Sequence, residues 1–263
     1  MKTLKPEIAP NLAASHGFFT AQGGVSGGVF QTLNMGVGSG DAQGDILENR
    51  KRVARFFNVA EKHILHPYQI HSNKCEIVSK TFDLENRPKC DALVTDQKNI
   101  VIGVLTADCA PILFEGYKVN GDKVIGAAHA GWKGAFDGVT KSTLDQMGAL
   151  GVEIQSIKAA IGPSIQKSSY EVDLQFYKRF MQQSEGNDHF FGAGYDEDHM
   201  QFDLTGYVAK QLFDLGVSHI HISNSDTYAK DKAFFSYRRS THKGEKEYGR
   251  QFSGIMITEA QDL

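Results

Sequence analysis

Apolar and polar positions alternate along the chain in short segments that predict strands mixed with amphipathic helices. Two continuous apolar runs, 101–105 and 124–128, predict buried strands. Apolar residues at helical spacing predict a helix over 45–57, which Asp45 can cap. The same spacing predicts further helices over 138–150, 174–183 and 205–216. Gly151 is suited to end the first of these helices and Gly216 the last.

The remaining apolar runs are short and do not alternate regularly with helices. Strand and turn are predicted over 66–71 and 75–79, and strands over 92–95, 157–161, 220–223, 234–237 and 253–258. Because the order lacks a strict strand–helix–strand rhythm, the sequence favours an α+β fold with mixed sheets over a doubly wound one. No linker-like or low-complexity tract divides the chain, so residues 1–263 are predicted to form a single domain.

Composition narrows the classes of protein. With 263 residues and 41% apolar content, the chain can bury a full core without disulfides. Its 28 basic and 31 acidic residues give a net charge of −3, which argues against a general nucleic-acid or anionic-membrane binder. The start of the chain carries no apolar signal region, and three cysteines without a CxxC pair suit a reducing compartment. A cytoplasmic protein is predicted.

The two apolar strands each end at side chains that can bind a metal or act as a nucleophile or a base. Asp108 and Cys109 follow the strand 101–105, and His129 follows the strand 124–128. If these strands are adjacent, the thiol and the imidazole meet at one edge of a sheet. Adding His71 gives a Cys-plus-two-His set that suits zinc and leaves a fourth position for water. Zinc lowers the pKa of such a water towards ~7.

The same thiol and imidazole support a second interpretation. Cys109 and His129 can form a thiolate–imidazole pair of the kind found in cysteine hydrolases, with Asp108 or Asp91 orienting the imidazole. The two interpretations exclude each other, since a thiolate bound to zinc is quenched as a nucleophile. The residues alone leave both open.

Candidate ligand-binding residues lie close to these positions. Free backbone N–H groups in the loop 131–134 suit an anion, and Lys133 adds positive charge. Trp132 can stack on a planar ligand or pack under the loop. Arg238 follows the aromatic segment 234–237 and can grip a phosphate or carboxylate.

Ordered motifs along most of the chain make it resemble the laccase-domain family, whose members are variously named multicopper polyphenol oxidase, peptidoglycan editing factor and purine nucleoside phosphorylase. The motifs are His16-Gly-Phe-Phe-Thr, Gly23-Gly-Val-Ser, Leu33-Asn34-Met-Gly36, Gln69-Ile-His71, Asp91-Ala-Leu-Val-Thr95, Thr106-Ala-Asp-Cys109-Ala-Pro, Ala128-His129-Ala-Gly-Trp132-Lys-Gly, Ile161-Gly-Pro-Ser-Ile and Phe234-Phe-Ser-Tyr-Arg-Arg. The resemblance implies a single-domain, four-layer α/β/β/α sandwich and a zinc site at His71, Cys109 and His129.

The resemblance also implies an activity: phosphorolysis of adenosine, inosine, guanosine or methylthioadenosine to base and pentose 1-phosphate, together with adenosine deamination. Purine nucleoside and phosphate are then the partners of a monomer or weak homodimer that binds neither nucleic acid nor membrane. We expect catalytic roles for Asp108 and Cys109. We expect substrate or phosphate binding by Asn34, Trp132, Lys133 and Arg238, helped by the Gly-rich loop 23–28.

One position departs from the family pattern. Ala21 stands where relatives usually carry an arginine, so Lys133, Arg238 or another basic group would have to replace it. Two alternatives stay open: a zinc- or Cys-dependent hydrolase or amidase that edits peptidoglycan precursors, and a non-catalytic partner protein with a vestigial site. A copper-dependent, laccase-like polyphenol oxidase is disfavoured, because one Cys/His site lacks the many histidines of a trinuclear copper cluster.

Overall fold

The computed structural model describes residues 4–259. Its strands are β1 (Ser15–Phe18), β2 (Ile64–Leu65), β3 (Cys75–Ile77), β4 (Ala92–Thr95), β5 (Val101–Thr106), β6 (Ala110–Tyr117), β7 (Lys123–Ala130), β8 (Lys158–Ile161), β9 (Glu171–Asp173), β10 (Phe191–Ala193), β11 (His199–Phe202), β12 (His219–Ile222) and β13 (Gln251–Met256). Its helices are α1 (Gln43–Phe56), α2 (Trp132–Phe136), α3 (Val139–Ala149), α4 (Leu174–Gln183), α5 (Leu204–Asp214) and α6 (Tyr237–His242).

Two mixed sheets form the centre of the molecule. One has the strand order β1-β13-β5-β2, and the other has the order β12-β8-β6-β7-β4-β3. Each combines antiparallel pairs with a parallel pair at an edge, such as β2 with β5 and β3 with β4. A small antiparallel sheet, β10-β11-β9, forms no strand pairing with either. The α+β class with mixed sheets is therefore confirmed.

Three apolar clusters separate the layers. Ile102 and Val104 of β5 pack against Leu113, Ile125 and other residues of the larger sheet, so the two sheets lie face to face. On the outer face of the smaller sheet, α1 buries Val53 and Ala54 against β5 and β13. On the outer face of the larger sheet, α3, α5 and the small sheet cover β6 and β7. The layers run α/β/β/α, as the resemblance implies.

The helix predictions agree closely with the structure. Helix α4 has the predicted bounds, and Asp173 caps it by accepting a hydrogen bond from the Phe176 backbone N–H at 2.7 Å. Helices α1, α3 and α5 each lie within two residues of their predicted ends. Within residues 4–259, no helix is long and apolar enough to cross a membrane.

Two strand predictions are wrong. Residues 234–236 form no strand, and α6 begins at Tyr237 because the Ser236 hydroxyl accepts a hydrogen bond from Arg239 N. Residues 66–70 form an irregular loop after the two-residue strand β2. Strand β6 is absent from the sequence predictions, although it is central to the larger sheet.

Candidate metal centre and its two cavities

Three side chains from separate parts of the chain meet at one end of the larger sheet. The ligand atoms of His71, Cys109 and His129 all lie within 4.8 Å of one another. The two imidazole rings are 4.9 Å apart between centroids and nearly perpendicular. His129 is buried, Cys109 is partly buried and His71 is exposed, so the cluster is open to solvent on one side.

Strand β6 brings the thiol and the imidazole together. The strands predicted over 101–105 and 124–128 are not neighbours, because β5 and β7 belong to different sheets. Cys109 instead lies directly before β6, which pairs antiparallel with β7 through Ala110 opposite Ala130. Because antiparallel neighbours place the start of one strand beside the end of the other, Cys109 and His129 meet at the same sheet edge.

The carboxylate of Asp91 connects the two histidines. Its Oδ1 lies 2.9 Å from His129 Nδ1 and accepts a hydrogen bond from the His71 backbone N–H at 3.0 Å. Its Oδ2 accepts bonds from the backbone N–H and the hydroxyl of Ser72 at 2.7 and 2.8 Å. Burial by itself would raise the pKa of Asp91. The hydrogen bonds with His129 and Ser72 and the charge of His129 outweigh burial and lower the pKa to about 2. Of the two aspartates considered for orienting His129, the structure selects Asp91 over Asp108.

The loop that carries His71 is fixed at two points. His71 has a positive φ of 56°, which its backbone bond to Asp91 helps to hold. Before it, the Gln69 side chain exchanges two hydrogen bonds with the Leu105 backbone, at 2.7 and 2.8 Å. These contacts set the position of the imidazole from both sides of the residue.

Gly131 leaves room for the cluster. A Cβ atom at this position would lie 3.0 Å from Cys109 Sγ and 3.1 Å from His71 Cδ2. Both distances are tighter than ordinary van der Waals contact. The absence of a side chain at Gly131 therefore allows the thiol and the imidazole to approach each other closely.

The cluster changes the protonation of its own members. Burial would raise the pKa of the Cys109 thiol, but the imidazoles of His129 and His71 lower it to about 6. Burial would lower the pKa of His129, whereas the Cys109 thiolate and the Asp91 carboxylate raise it to about 9. Without a metal, the arrangement favours a thiolate beside an imidazolium.

The donor set fits a zinc ion. Thiolate and imidazole are both good zinc ligands, and three protein donors leave one position free. The bond between His129 Nδ1 and Asp91 leaves Nε2 of the ring free for the ion, an orientation common among zinc-binding histidines. In the described part of the chain, this is the one group of three or more His, Cys, Asp or Glu residues arranged to hold a metal.

Two cavities flank the cluster, and His71 and Cys109 line both. The first, the arginine cavity, has a volume of about 620 Å³ and is lined by Arg87, Arg250, Tyr68, Tyr248, Thr106 and His129 among others. The second, the aromatic cavity, has a volume of about 260 Å³ and is lined by Trp132, Tyr170, Asp108, Arg238, Ile165 and Leu204 among others. Tyr237, which is 54% exposed, lines both.

Trp132 and Arg238 lie where a ligand beside the cluster would contact them. Both line the aromatic cavity. The Arg238 guanidinium stacks 5.4 Å from the Tyr170 ring and donates a hydrogen bond to the Glu171 carbonyl at 2.8 Å. Lys133 is exposed on α2 and is not among the residues that line either cavity.

Asn34 is buried and bonded internally. Its Oδ1 accepts hydrogen bonds from the backbone N–H groups of Gly36 at 2.9 Å and Arg250 at 3.0 Å, and its Nδ2 donates to Ser39 and Asp41. It does not line either cavity among the described residues. Through the Arg250 backbone, however, Asn34 supports a residue that does.

Asp108 joins the Cys109 loop to the start of α6. Its carboxylate accepts hydrogen bonds from Thr227 Oγ1 at 2.7 Å, Ser236 Oγ at 2.9 Å and Arg238 N at 2.7 Å. Burial raises its pKa, while these donors oppose the shift. Its positive φ of 89° turns the chain sharply just before Cys109. This bonding favours a positioning role, and proton transfer by Asp108 stays a prediction.

Ala21 and the glycines near it lie around a different cavity. Ala21 and Gly28 line a polar cavity of about 230 Å³ together with Arg239 and Lys243. Arg239 donates hydrogen bonds to the carbonyls of Thr227, Tyr228 and Phe234. Ala21 itself therefore lines this cavity and neither of the two cavities beside the cluster, although Tyr248 lines both this cavity and the arginine cavity.

Sequence reasoning missed Arg87, Arg250 and Tyr170. None stands beside a metal ligand in the sequence, and Arg87 lies in an irregular stretch without periodicity. An arginine after Tyr248 and Gly249 gives no signal by itself. These side chains come close to the cluster only because distant loops fold around it.

The fold and the site together define a two-sheet sandwich with a Cys/His cluster that could hold a metal ion between two cavities. A model of the family described as multi-copper polyphenol oxidoreductase laccase matches residues 15–258. The chain belongs to this family.

Named relatives and solved structures agree with this assignment. A purine nucleoside phosphorylase of Rickettsia conorii is 36% identical over 214 residues, covering 81% of this chain and 85% of its own. One of Deinococcus radiodurans is 34% identical, covering 88% and 86%. The crystal structures of Neisseria meningitidis protein NMB0706 and of YlmD from Geobacillus stearothermophilus both give a TM-score of 0.82. They are 28% and 26% identical and cover 98% of this chain, and 100% and 99% of their own.

Proposed function

We propose that the protein is a zinc-dependent purine nucleoside phosphorylase that also deaminates adenosine. The observation that carries the proposal is the placement of one Cys/His centre between two cavities of different character, each lined by His71 and Cys109. Similar chains named purine nucleoside phosphorylase support the same substrate class.

The reaction needs two substrates held on opposite sides of a ribose carbon. In phosphorolysis, a phosphate oxygen forms a bond to C1′ while the bond from C1′ to the purine nitrogen breaks. The electron pair of that bond leaves with the purine, which takes up the proton lost by the phosphate. The products are the free base and a pentose 1-phosphate, so atoms and charges balance.

The side chains of this protein suit that arrangement. Trp132 and Tyr170 provide apolar ring surface for a purine base in the aromatic cavity. Arg238 adds donors there, and Asp108 fixes the turn that carries Arg238. His71, Cys109 and His129 would hold the zinc ion, which when bound supplies a Lewis acid and lowers the pKa of a coordinated water.

Asp91 would keep the metal ligands in place rather than contact substrate. It holds the His129 tautomer and the His71 backbone through bonds of 2.9 and 3.0 Å. Adenosine deamination, which consumes water and releases ammonia and inosine, needs no phosphate. The two activities can therefore be separated by leaving phosphate out.

The test is an assay of purified, zinc-loaded protein with inosine, with and without inorganic phosphate. Hypoxanthine and ribose 1-phosphate should form only when phosphate is present, and adenosine should yield inosine in either case. If no hypoxanthine is released with phosphate, phosphorolysis is refuted. If adenosine stays unchanged without phosphate, deamination is refuted separately.

A second candidate is a hydrolase or amidase in which Cys109 is the nucleophile. The placement of the Cys109 thiol within 4.8 Å of a ring nitrogen of His129 favours it, and the two imidazoles lower the pKa of the thiol. A protein purified without metal and alkylated at Cys109 by iodoacetamide would support this candidate. Tight, stoichiometric zinc that protects Cys109 from alkylation would refute it.

Several finer expectations stay predictions. They are zinc rather than copper as the metal, a single domain over 1–263, a cytoplasmic location, a monomer or weak homodimer, and no binding of nucleic acid or membrane. Metal analysis of protein purified from its own host would decide the first, and light scattering would decide the oligomeric state.

A further inference from the structure

The arginine cavity has a positively charged lining. Arg87 and Arg250 both line it, and none of the residues described around it is an aspartate or glutamate. The aromatic cavity differs, because the buried Asp108 lines it beside Arg238. An anion of small size is therefore favoured in the arginine cavity over the aromatic one.

Neither Arg87 nor Arg250 has an acidic partner among the described residues. Arg50 and Arg52 form ion pairs with Glu61 and Glu48, but no ion pair formed within residues 4–259 includes Arg87 or Arg250. Glu85 lines an adjoining depression with Arg87 without pairing to it.

Aromatic rings hold the two guanidinium groups in place. Arg87 stacks 5.6 Å from the Tyr68 ring and Arg250 stacks 4.5 Å from the Tyr248 ring. Arg87 Nε donates to the Leu84 carbonyl at 2.6 Å, and Asn34 fixes the Arg250 backbone. Arg87 Nη1 also lies 3.4 Å from His66 Nδ1. The N–H groups that these contacts do not use are available for a planar or bidentate contact with an oxyanion.

A buried hydroxyl gives an independent sign of a missing polar ligand. Thr106 lines the arginine cavity and is only 2% exposed, yet its Oγ1 has no hydrogen-bond partner within the described residues. Buried polar atoms almost always have a partner, so an unpaired one beside a cavity points to a bound group. A hydroxyl can donate to an oxyanion oxygen.

We propose that Arg87 and Arg250, with the Thr106 hydroxyl, form the site for the inorganic phosphate co-substrate in the arginine cavity. The role of phosphate as a co-substrate rests on the proposed function, whereas the binding of phosphate to this site can be tested without turnover. The purine would then lie in the aromatic cavity, with the ribose carbon beside the cluster formed by His71 and Cys109. The volume of about 620 Å³ leaves room for a pentose next to the phosphate.

The direct test is calorimetric titration of inorganic phosphate into zinc-loaded protein. Arg87→Gln and Arg250→Gln should each weaken phosphate binding at least about tenfold, because each removes a charge-assisted contact. Arg87→Lys should recover part of the affinity lost in Arg87→Gln. Arg55→Gln is the matched control: Arg55 is exposed on α1 and paired with Glu48, so its loss should leave binding unchanged.

Steady-state kinetics give the second readout. Both glutamine variants should raise the KM for phosphate by a larger factor than the KM for inosine, because phosphate is the substrate that the two guanidinium groups contact. Thermal unfolding would show that the variants are folded. Phosphate affinity that is equal in wild type, both glutamine variants and the control would overturn the site, even if phosphorolysis occurs. Arginine-dependent phosphate binding without hypoxanthine release would instead refute the proposed function and keep the anion site.

Discussion

Oδ1 of Asp91 lies 2.9 Å from Nδ1 of His129, and the same oxygen accepts a hydrogen bond from the backbone of His71. One carboxylate thus sets the ring of one candidate metal-binding histidine and the chain direction at the other. Since Cys109 comes from a third segment, the geometry of the whole cluster depends on Asp91 without Asp91 being a ligand.

Asp91→Asn should therefore weaken metal binding. The amide keeps the size of the side chain but cannot accept all the bonds that the carboxylate accepts, and loss of such a partner typically costs 10- to 100-fold in affinity. Zinc affinity measured by competition with a chromogenic chelator would check this. Asp145→Asn, at an exposed position on α3, is the control. Equal affinities for both variants would contradict the role of Asp91.

Cys109→Ser should abolish stoichiometric zinc, because a serine hydroxyl is a much weaker zinc ligand than a thiolate. Elemental analysis after dialysis would measure the bound zinc. Cys75→Ser removes a thiol outside the cluster and should keep the metal. Full zinc occupancy in Cys109→Ser would show that the thiol is not a required ligand and would reopen its role as a nucleophile.

Gly131→Ala should disturb the cluster while leaving the fold intact. The new Cβ would lie 3.0 Å from Cys109 Sγ, so the thiol or the His71 ring must move by a few tenths of an ångström. We expect weaker zinc binding and reduced activity, with a small change in the unfolding temperature. Gly148→Ala on α3 is the control, because nothing lies within 4 Å of the Cβ there. Wild-type zinc affinity in Gly131→Ala would contradict this account.

Trp132→Ala should raise the KM for inosine and leave the KM for phosphate unchanged. Stacking of a base on an aromatic ring contributes roughly 1–3 kcal/mol, or about 5- to 150-fold in affinity. Trp132→Phe should recover part of the loss. Tyr195→Ala is the control, since Tyr195 is 84% exposed. A change in phosphate KM alone would place the base elsewhere.

His66 should make stability depend on pH. Burial, with Arg50 and Arg87 nearby, lowers its pKa in the folded protein to about 3. In the unfolded chain its pKa is about 6.5. Below that value the unfolded chain takes up a proton that the folded protein does not, so stability falls as pH drops towards about 3. The slope is at most roughly 1.4 kcal/mol per pH unit.

The check is urea unfolding of the wild type and His66→Gln at several pH values between about 7 and about 4. The free energy of unfolding should fall less steeply with decreasing pH in His66→Gln. His219→Gln changes an exposed histidine and should keep the wild-type slope. Parallel curves for wild type and His66→Gln would show that His66 takes up its proton equally in both states.

Local signals in the sequence determined much of the fold. Helix α4 and strand β4 have their predicted bounds because caps, periodicity and apolar runs act over a few residues. Patterning failed at 234–237, where Phe234 and Phe235 are both buried and the Ser236 cap starts a helix instead of a strand. Such a local competition is resolved by tertiary packing.

The cluster of His71, Cys109 and His129 could be predicted from the sequence, because residue chemistry and the family motifs both indicate these three side chains. The tertiary structure decided how they meet. Cys109 reaches His129 through the pairing of β6 with β7, and Asp91 rather than Asp108 orients the imidazole.

The arginine cavity was beyond the sequence, whereas Trp132 and Arg238 of the aromatic cavity were among the predicted ligand-binding residues. Arg87 and Arg250 are 163 positions apart in the chain and line one cavity only because their loops fold over the same end of the sandwich. The sequence by itself therefore determined which side chains can bind a metal, since that depends on chemistry. The tertiary structure alone decided what surrounds those side chains, since the surroundings depend on contacts between distant segments.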